Sequence, residues 1–146
     1  MPPVPGLRSP HVKVGRLVYF GRMLDKIRLQ AAGRLPADYQ ANLGDSSPGV
    51  FDARCCRFLR TRHAEIARRV HAGETDEAIA AWAEQQAGRT DEECEIWNAY
   101  LSKRGWRDER SAVLRERIAE AGLAGKGIET FFDFIDRDEG RELPRA

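Results

Sequence analysis

A five-residue pattern, G-x-x-D-E, occurs three times in the chain, at Gly73–Glu77, Gly88–Glu92 and Gly105–Glu109. Each copy reads as a helix boundary. The glycine ends one helix, because the left-handed backbone needed just past a helix costs it no Cβ clash. Thr75, Thr90 or Asp108 then caps the next helix, and acidic residues occupy its first turn, where the helix dipole is positive. Thr90-Asp91-Glu92-Glu93 also fits a capping box. Stop–start signals at spacings of 15 and 17 residues predict consecutive short helices with tight turns between them. Three copies are too few for a solenoid repeat.

Apolar periodicity supplies the helices themselves. Residues 16–32 place Leu17, Phe20, Leu24, Ile27 and Ala31 on one stripe. Residues 53–72 read as one bent helix or two short ones, residues 76–87 carry Ile79, Trp82 and Ala83, and residues 108–121 carry Val113, Leu114 and Ile118. Residues 91–104 are apolar on two sides, Cys94, Trp97 and Leu101 on one and Ile96 and Tyr100 on the other, which predicts a central position. A last helix holds Ile128, Phe131, Phe132 and Ile135. The tryptophans, Trp106 included, read as core and staple residues. Nothing alternates with the period of a strand. The expected fold is therefore all-α: one domain over residues 1–146, a compact bundle of about six to seven short helices. Residues 1–13, with four of the seven prolines, form an extended arm, and residues 33–51 form a long inter-helix loop. A connection of that length is often functional, so this loop is where a site is expected.

A chain of 146 residues buries roughly 68–70% of its unfolded surface, enough to hold a core without metal or disulfide staples. Cys55, Cys56 and Cys94 are an odd set with one adjacent pair, which reads as reduced thiols used as small apolar residues. No spacing suggests zinc, the acidic end around Asp133, Asp136, Asp138 and Glu139 lacks calcium-loop spacing, and no metal or cofactor is expected. No apolar run is long enough to span a membrane, and the first residues lack the features of a secretory signal, so cytoplasmic residence is the expectation. The net charge of +1 hides an asymmetry: residues 1–72 hold 13 Lys/Arg against 5 Asp/Glu, and residues 73–146 hold 11 against 18. The two halves can satisfy each other inside one chain or between subunits, or the basic half can attract an anion.

Three clusters could carry chemistry. Arg22, Asp25, Lys26 and Arg28 are helical neighbours, a carboxylate among three cations; they suit an anion pocket or a solvated face. Arg54, Cys55, Cys56 and Arg57 follow Asp52; with Asp52 as N-cap, both thiols lie near a helix N-terminus beside arginines. That setting lowers a thiol's pKa and also suits a phosphate or carboxylate, but no base is identifiable beside it. The run Arg54, Arg57, Arg60, Arg62, Arg68 and Arg69 lacks any named nucleic-acid motif, and the acidic half repels phosphate, which argues against nucleic acid as a partner.

Several stretches together carry a resemblance: Gly6–Pro10, Val18–Lys26, Arg54–Leu59, Trp97-Asn98, Lys103–Asp108 and Phe131–Asp136. From about residue 6 to residue 141 the chain resembles a bacterial family, domain of unknown function 5069. The resemblance implies a single domain and carries over no catalytic role. The leading reading is a non-catalytic cytoplasmic module that binds a small anion or a protein partner, its pocket walled by the first helix, the 33–51 loop and the Asp52–Arg57 helix start. One alternative is a small enzyme using Cys55 or Cys56 on an anionic substrate held by Arg28 or Arg54. Another is a structural homodimer pairing basic and acidic halves.

Overall fold

The computed structural model describes residues 3–143. Among them are seven α-helices: α1 (Phe20–Ala31), α2 (Phe51–Phe58), α3 (His63–His71), α4 (Asp76–Ala87), α5 (Asp91–Ser102), α6 (Ser111–Glu120) and α7 (Phe131–Asp138). A 3-10 helix, Ala37–Asn42, lies between α1 and α2, and the described residues form no strand beyond an isolated bridge between Val14 and Leu17. The fold is all-α. No helix among the described residues is long and apolar enough to cross a membrane.

The repeated boundary works as its chemistry predicts at two of its three copies. Gly73 (φ 82) and Gly88 (φ 66) adopt the left-handed backbone. The Thr75 hydroxyl then accepts from the Ala78 amide to start α4, and Thr90 and Glu93 form a reciprocal capping box at the start of α5. The third copy differs. Gly105 is left-handed (φ 97), but α6 begins only at Ser111, after Arg110. Asp108 closes the intervening turn instead, accepting from the Gly105 and Arg110 amides at 2.9 and 2.8 Å. Residue 105 also has no room for a side chain: a Cβ there would lie 2.8 Å from Leu114 and 3.0 Å from Phe131.

Residues 53–72 resolve into two helices, α2 and α3, with the break at Arg60, a non-glycine residue at φ 55 whose guanidinium reaches the Ala87 carbonyl at 3.0 Å. The helix with the most buried residues is α1, in which nine, Phe20–Ile27 and Leu29, are buried. They include three charged ones, because each has a partner within the fold. Ala31, expected on the buried stripe, is exposed. The second apolar face of α5 is not packed: Ile96 is 63% and Tyr100 45% exposed, so α5 lies at the surface on Cys94, Trp97 and Leu101. Trp82 is half-buried under the Arg69 guanidinium, Trp97 is buried against Phe58, and Trp106 is exposed. Indole in a polar turn is therefore not core here.

Phe20, Met23, Leu24, Cys55, Leu59, Ile66, Ile79, Leu101 and Phe132 form the centre of the main core. A second, smaller cluster of Leu7, Leu29, Leu35 and Tyr39 fixes both irregular segments. The arm, of which residues 1 and 2 lie outside the described residues, makes two turns and packs on the helices. Arg8 forks onto Asp25, Ser9 donates to Asp136, and Arg141 donates back to the Leu7 carbonyl. The 33–51 loop is partly ordered as the 3-10 helix, with Tyr39 buried beneath it.

The charge asymmetry is largely resolved within the chain. Arg8 and Arg28 both reach Asp76 (2.7 and 2.5 Å), Arg16 reaches Glu84 and Asp91 (2.6 Å each), and Arg22 reaches Glu139 (2.5 Å). Every one of these pairs joins the basic half to the acidic half.

Candidate functional site

A cavity of about 1020 Å³ opens between α1, the 33–51 segment, the start of α2, and the α6–α7 pair. The first three walls are those expected from the sequence. The fourth is not: Arg104, Arg110, Arg117, Phe131, Phe134, Ile135 and Glu139 also line it. The acidic half thus supplies a wall of the site rather than scaffold alone.

The floor is built from buried ions that already have partners. Arg22, 3% exposed, forks onto both carboxylate oxygens of Glu139 at 2.9 and 2.5 Å, and the Tyr39 hydroxyl donates to the same carboxylate at 2.8 Å. Burial disfavours both charges, but the pairing outweighs it, holding Glu139 below and Arg22 above their ordinary ranges. Beside it, Lys26 (2% exposed) lies 2.8 Å from Asp52 (0% exposed) and also donates to the Tyr19 hydroxyl and the Asn42 carbonyl at 3.0 and 2.7 Å. Burial lowers the Lys26 pKa, with Asp52 opposing. Tyr19 donates to Asp52 at 2.6 Å, and burial with that neighbouring charge raises its pKa well above the tyrosine range. Its backbone sits at φ 69, an uncommon conformation for a side chain of this size. Behind Asp52, His63 Nε2 lies 3.8 Å away with no hydrogen-bond partner among the described residues, and burial lowers its pKa.

The rim is different. Arg104 pairs with Asp108 and Glu109. Arg54 bonds only neutral oxygens, those of Gly49 and Tyr100, and Arg117 lies over the Phe131 ring at 5.5 Å. Arg54, Arg110 and Arg117 form no ion pair with a carboxylate among the described residues. The cavity lining holds six cationic side chains against four acidic ones, Asp38, Glu120, Asp138 and Glu139.

The sequence candidates divide accordingly. Arg22, Lys26 and Arg54 line the cavity. Asp25 and Arg28 lie on the other side of α1, tied to Arg8 and Asp76. Arg57 is exposed away from the cavity, and Cys55 and Cys56 point into the core. Asp52 is not the N-cap of α2: that residue is Val50, which puts the thiols in the second turn, where little dipole remains. Burial, then the adjacent Cys56 and Asp52, push Cys55 well above the thiol range, and burial, then Asp45 and Asp52, push Cys56 up to about 12. This is the reverse of the activation that nearby arginines suggested. Among the described residues no three His, Cys, Asp or Glu side chains converge as a metal-binding group.

Sequence reading missed Tyr19, Tyr39, Arg110, Arg117 and Glu139. A signal for some of them exists. Arg110, the N-cap of α6, and Arg117 within it are seven apart, and Phe131, Phe134, Ile135 and Asp138 follow the spacing of one helical face. Tyr19 and Glu139 carry no such signal, since their roles depend on partners 33 and 117 residues away.

The buried thiols and phenols set an alkaline limit. Below pH 9, Cys55, Cys56, Tyr19 and Tyr39 are protonated in both states. Above their ordinary values of 9.0 and 10.0 they ionise in the unfolded chain but stay protonated in the folded one, which stabilises the unfolded state. Cys94, also raised by burial, acts the same way, and Lys26, lowered, acts in the opposite direction, one group against five. The urea midpoint is expected to fall as pH rises from about 8 to about 10, and to fall less in a Cys55→Ala/Cys56→Ala variant. Parallel slopes for the two proteins would remove the thiols from the account.

No curated protein matches the chain in sequence. The family model described as Domain of unknown function (DUF5069) matches residues 4–141, and it spans the arm, both sides of the cavity and all seven helices. The chain therefore belongs to the DUF5069 family.

Proposed function

We propose that this protein is a non-catalytic cytoplasmic module that binds a small organic anion in the cavity between α1, α2, α6 and α7. One observation carries the reading: the buried floor charges are neutralised by one another, while Arg54, Arg110 and Arg117 at the rim have no carboxylate partner among the described residues. Guanidinium groups from α2 and from α6 and its N-cap that line one concave, partly apolar space suit a carboxylate or phosphate.

The other readings have less behind them. A thiol-dependent enzyme needs a thiolate, and Cys55 and Cys56 are buried with raised pKa values. A homodimer of opposite charges loses its motive where those charges pair within one chain. Four arginines of the basic run, Arg60, Arg62, Arg68 and Arg69, bond Ala87, Asp45, Glu65 and Glu74, which gives the nucleic-acid reading less support.

The test is titration with inorganic phosphate followed by amide NMR shifts. Shifts are expected to cluster at the start of α2, on α6 and on α7, to weaken with salt, and to vanish in Arg110→Glu/Arg117→Glu while persisting in Arg115→Glu. Shifts scattered over the surface, or none at millimolar phosphate, would overturn the reading.

A further inference from the structure

We infer that the anion taken by this cavity carries an aromatic ring directly beside its charged group. The inference rests on the anion-binding reading above and adds the class of ligand.

Three rings lining the cavity form an edge-to-face chain. Tyr19 meets Phe51 at 5.5 Å between ring centres and 76° between planes, and Phe51 meets Phe131 at 6.4 Å and 83°. Phe134 and Tyr39 also line the space. The tyrosine hydroxyls are committed to Asp52 and Glu139 and, with Phe131, those rings are buried, so the ring surface open to the cavity is that of the half-buried Phe51 and Phe134. Aromatic rings prefer such offset and edge-to-face partners to aliphatic ones of equal area.

The charged and aromatic surfaces are also adjacent. The Arg117 guanidinium lies 5.5 Å over the centre of Phe131, so a rim cation stacks on a ring of the wall. An oxyanion held by Arg117 therefore lies beside the aromatic wall of the cavity. The floor offers no second vacant cation, because Arg22 and Lys26 are paired with Glu139 and Asp52. One charged end at the rim and one ring inside is the ligand this arrangement fits. The oxyanion can be phosphate, carboxylate or sulfonate, since a guanidinium fork takes each of them.

Calorimetric titration of the wild-type protein with four probes tests this: phenyl phosphate, butyl phosphate, inorganic phosphate and phenol. Phenyl phosphate is expected to bind about tenfold more tightly than butyl phosphate, and both more tightly than inorganic phosphate. Equal affinity for the phenyl and butyl esters would overturn the aromatic inference and leave the anion reading in place. Phenol binding as well as phenyl phosphate, or no probe binding, would overturn both. In Phe134→Leu, with its helical circular dichroism unchanged, the preference for phenyl over butyl should shrink; an unchanged preference would count against a ring seated on this wall. The wild-type series decides the matter even if that variant does not fold.

Discussion

Asp52→Ala is expected to lower the free energy of unfolding by about 3–5 kcal/mol, the cost of leaving a buried charge without its counterion. Lys26 would keep only the Tyr19 hydroxyl and the Asn42 carbonyl, both neutral, and the Gly44 amide would lose its acceptor at 2.8 Å. With Lys26 2% and Asp52 0% exposed, little solvent reaches the orphaned ammonium. Removing both charges is expected to cost less than removing one: Lys26→Met/Asp52→Leu should be more stable than Asp52→Ala, because no desolvated ion remains. Urea denaturation at neutral pH measures both. A single-variant loss below about 1 kcal/mol, the range of an exposed pair, would show that the pair is not isolated from solvent. Against a typical total stability of about 5–15 kcal/mol, the expected loss brings the chain close to unfolding.

Phe132→Ala is expected to cost about 3–5 kcal/mol, from lost burial plus the cavity left behind. Phe132 is 0% exposed and packs against His11, Tyr19 and Phe51, at 5.1, 6.2 and 5.6 Å between ring centres. It therefore ties α7 to the residue before α1, to the start of α2 and to the arm in one contact. Phe132→Leu should retain most of the stability, since it keeps most of the volume. Thermal melts of the two variants distinguish a packing loss from a local one: equal and small shifts would mean that α7 frays without loading the core.

Much of the fold was legible because its signals are local. A glycine at φ 66, a threonine hydroxyl three residues before the amide it caps, and apolar residues three and four apart all act within one or two turns. Those signals gave both ends of α4 and the start of α5 to the residue, while α5 stops at Ser102, two residues before the expected end. They failed where a distant partner intervened. Asp108 looks like the cap of a helix, but its carboxylate closes the turn at Gly105, where Leu114 and Phe131 crowd the backbone. The two-faced pattern of α5 suggested a central helix, yet the buried one is α1, whose Arg22, Asp25 and Lys26 look like surface residues. Polar residues enter an interior only when their partners are in place, and Glu139, Arg8 and Asp52 come from 117, 17 and 26 residues away.

The candidate site divides along the same line. The basic cluster on α1 and the arginine at Arg54 were visible as charge. Which of them face a cavity was not, because adjacent helical positions point in different directions and the chain alone does not say what lies opposite each. Sequence by itself determined that the chain is helical, roughly where its helices lie, with α4 placed to the residue, and that its two halves carry opposite charge. Tertiary structure decided that they meet within one chain, that Cys55 and Cys56 are buried rather than activated, and that α6 and α7 close a cavity over α1. The physical reason is range: capping and periodicity act over a few residues, whereas neutralising a buried ion or enclosing a cavity depends on which distant segments the packed core brings together.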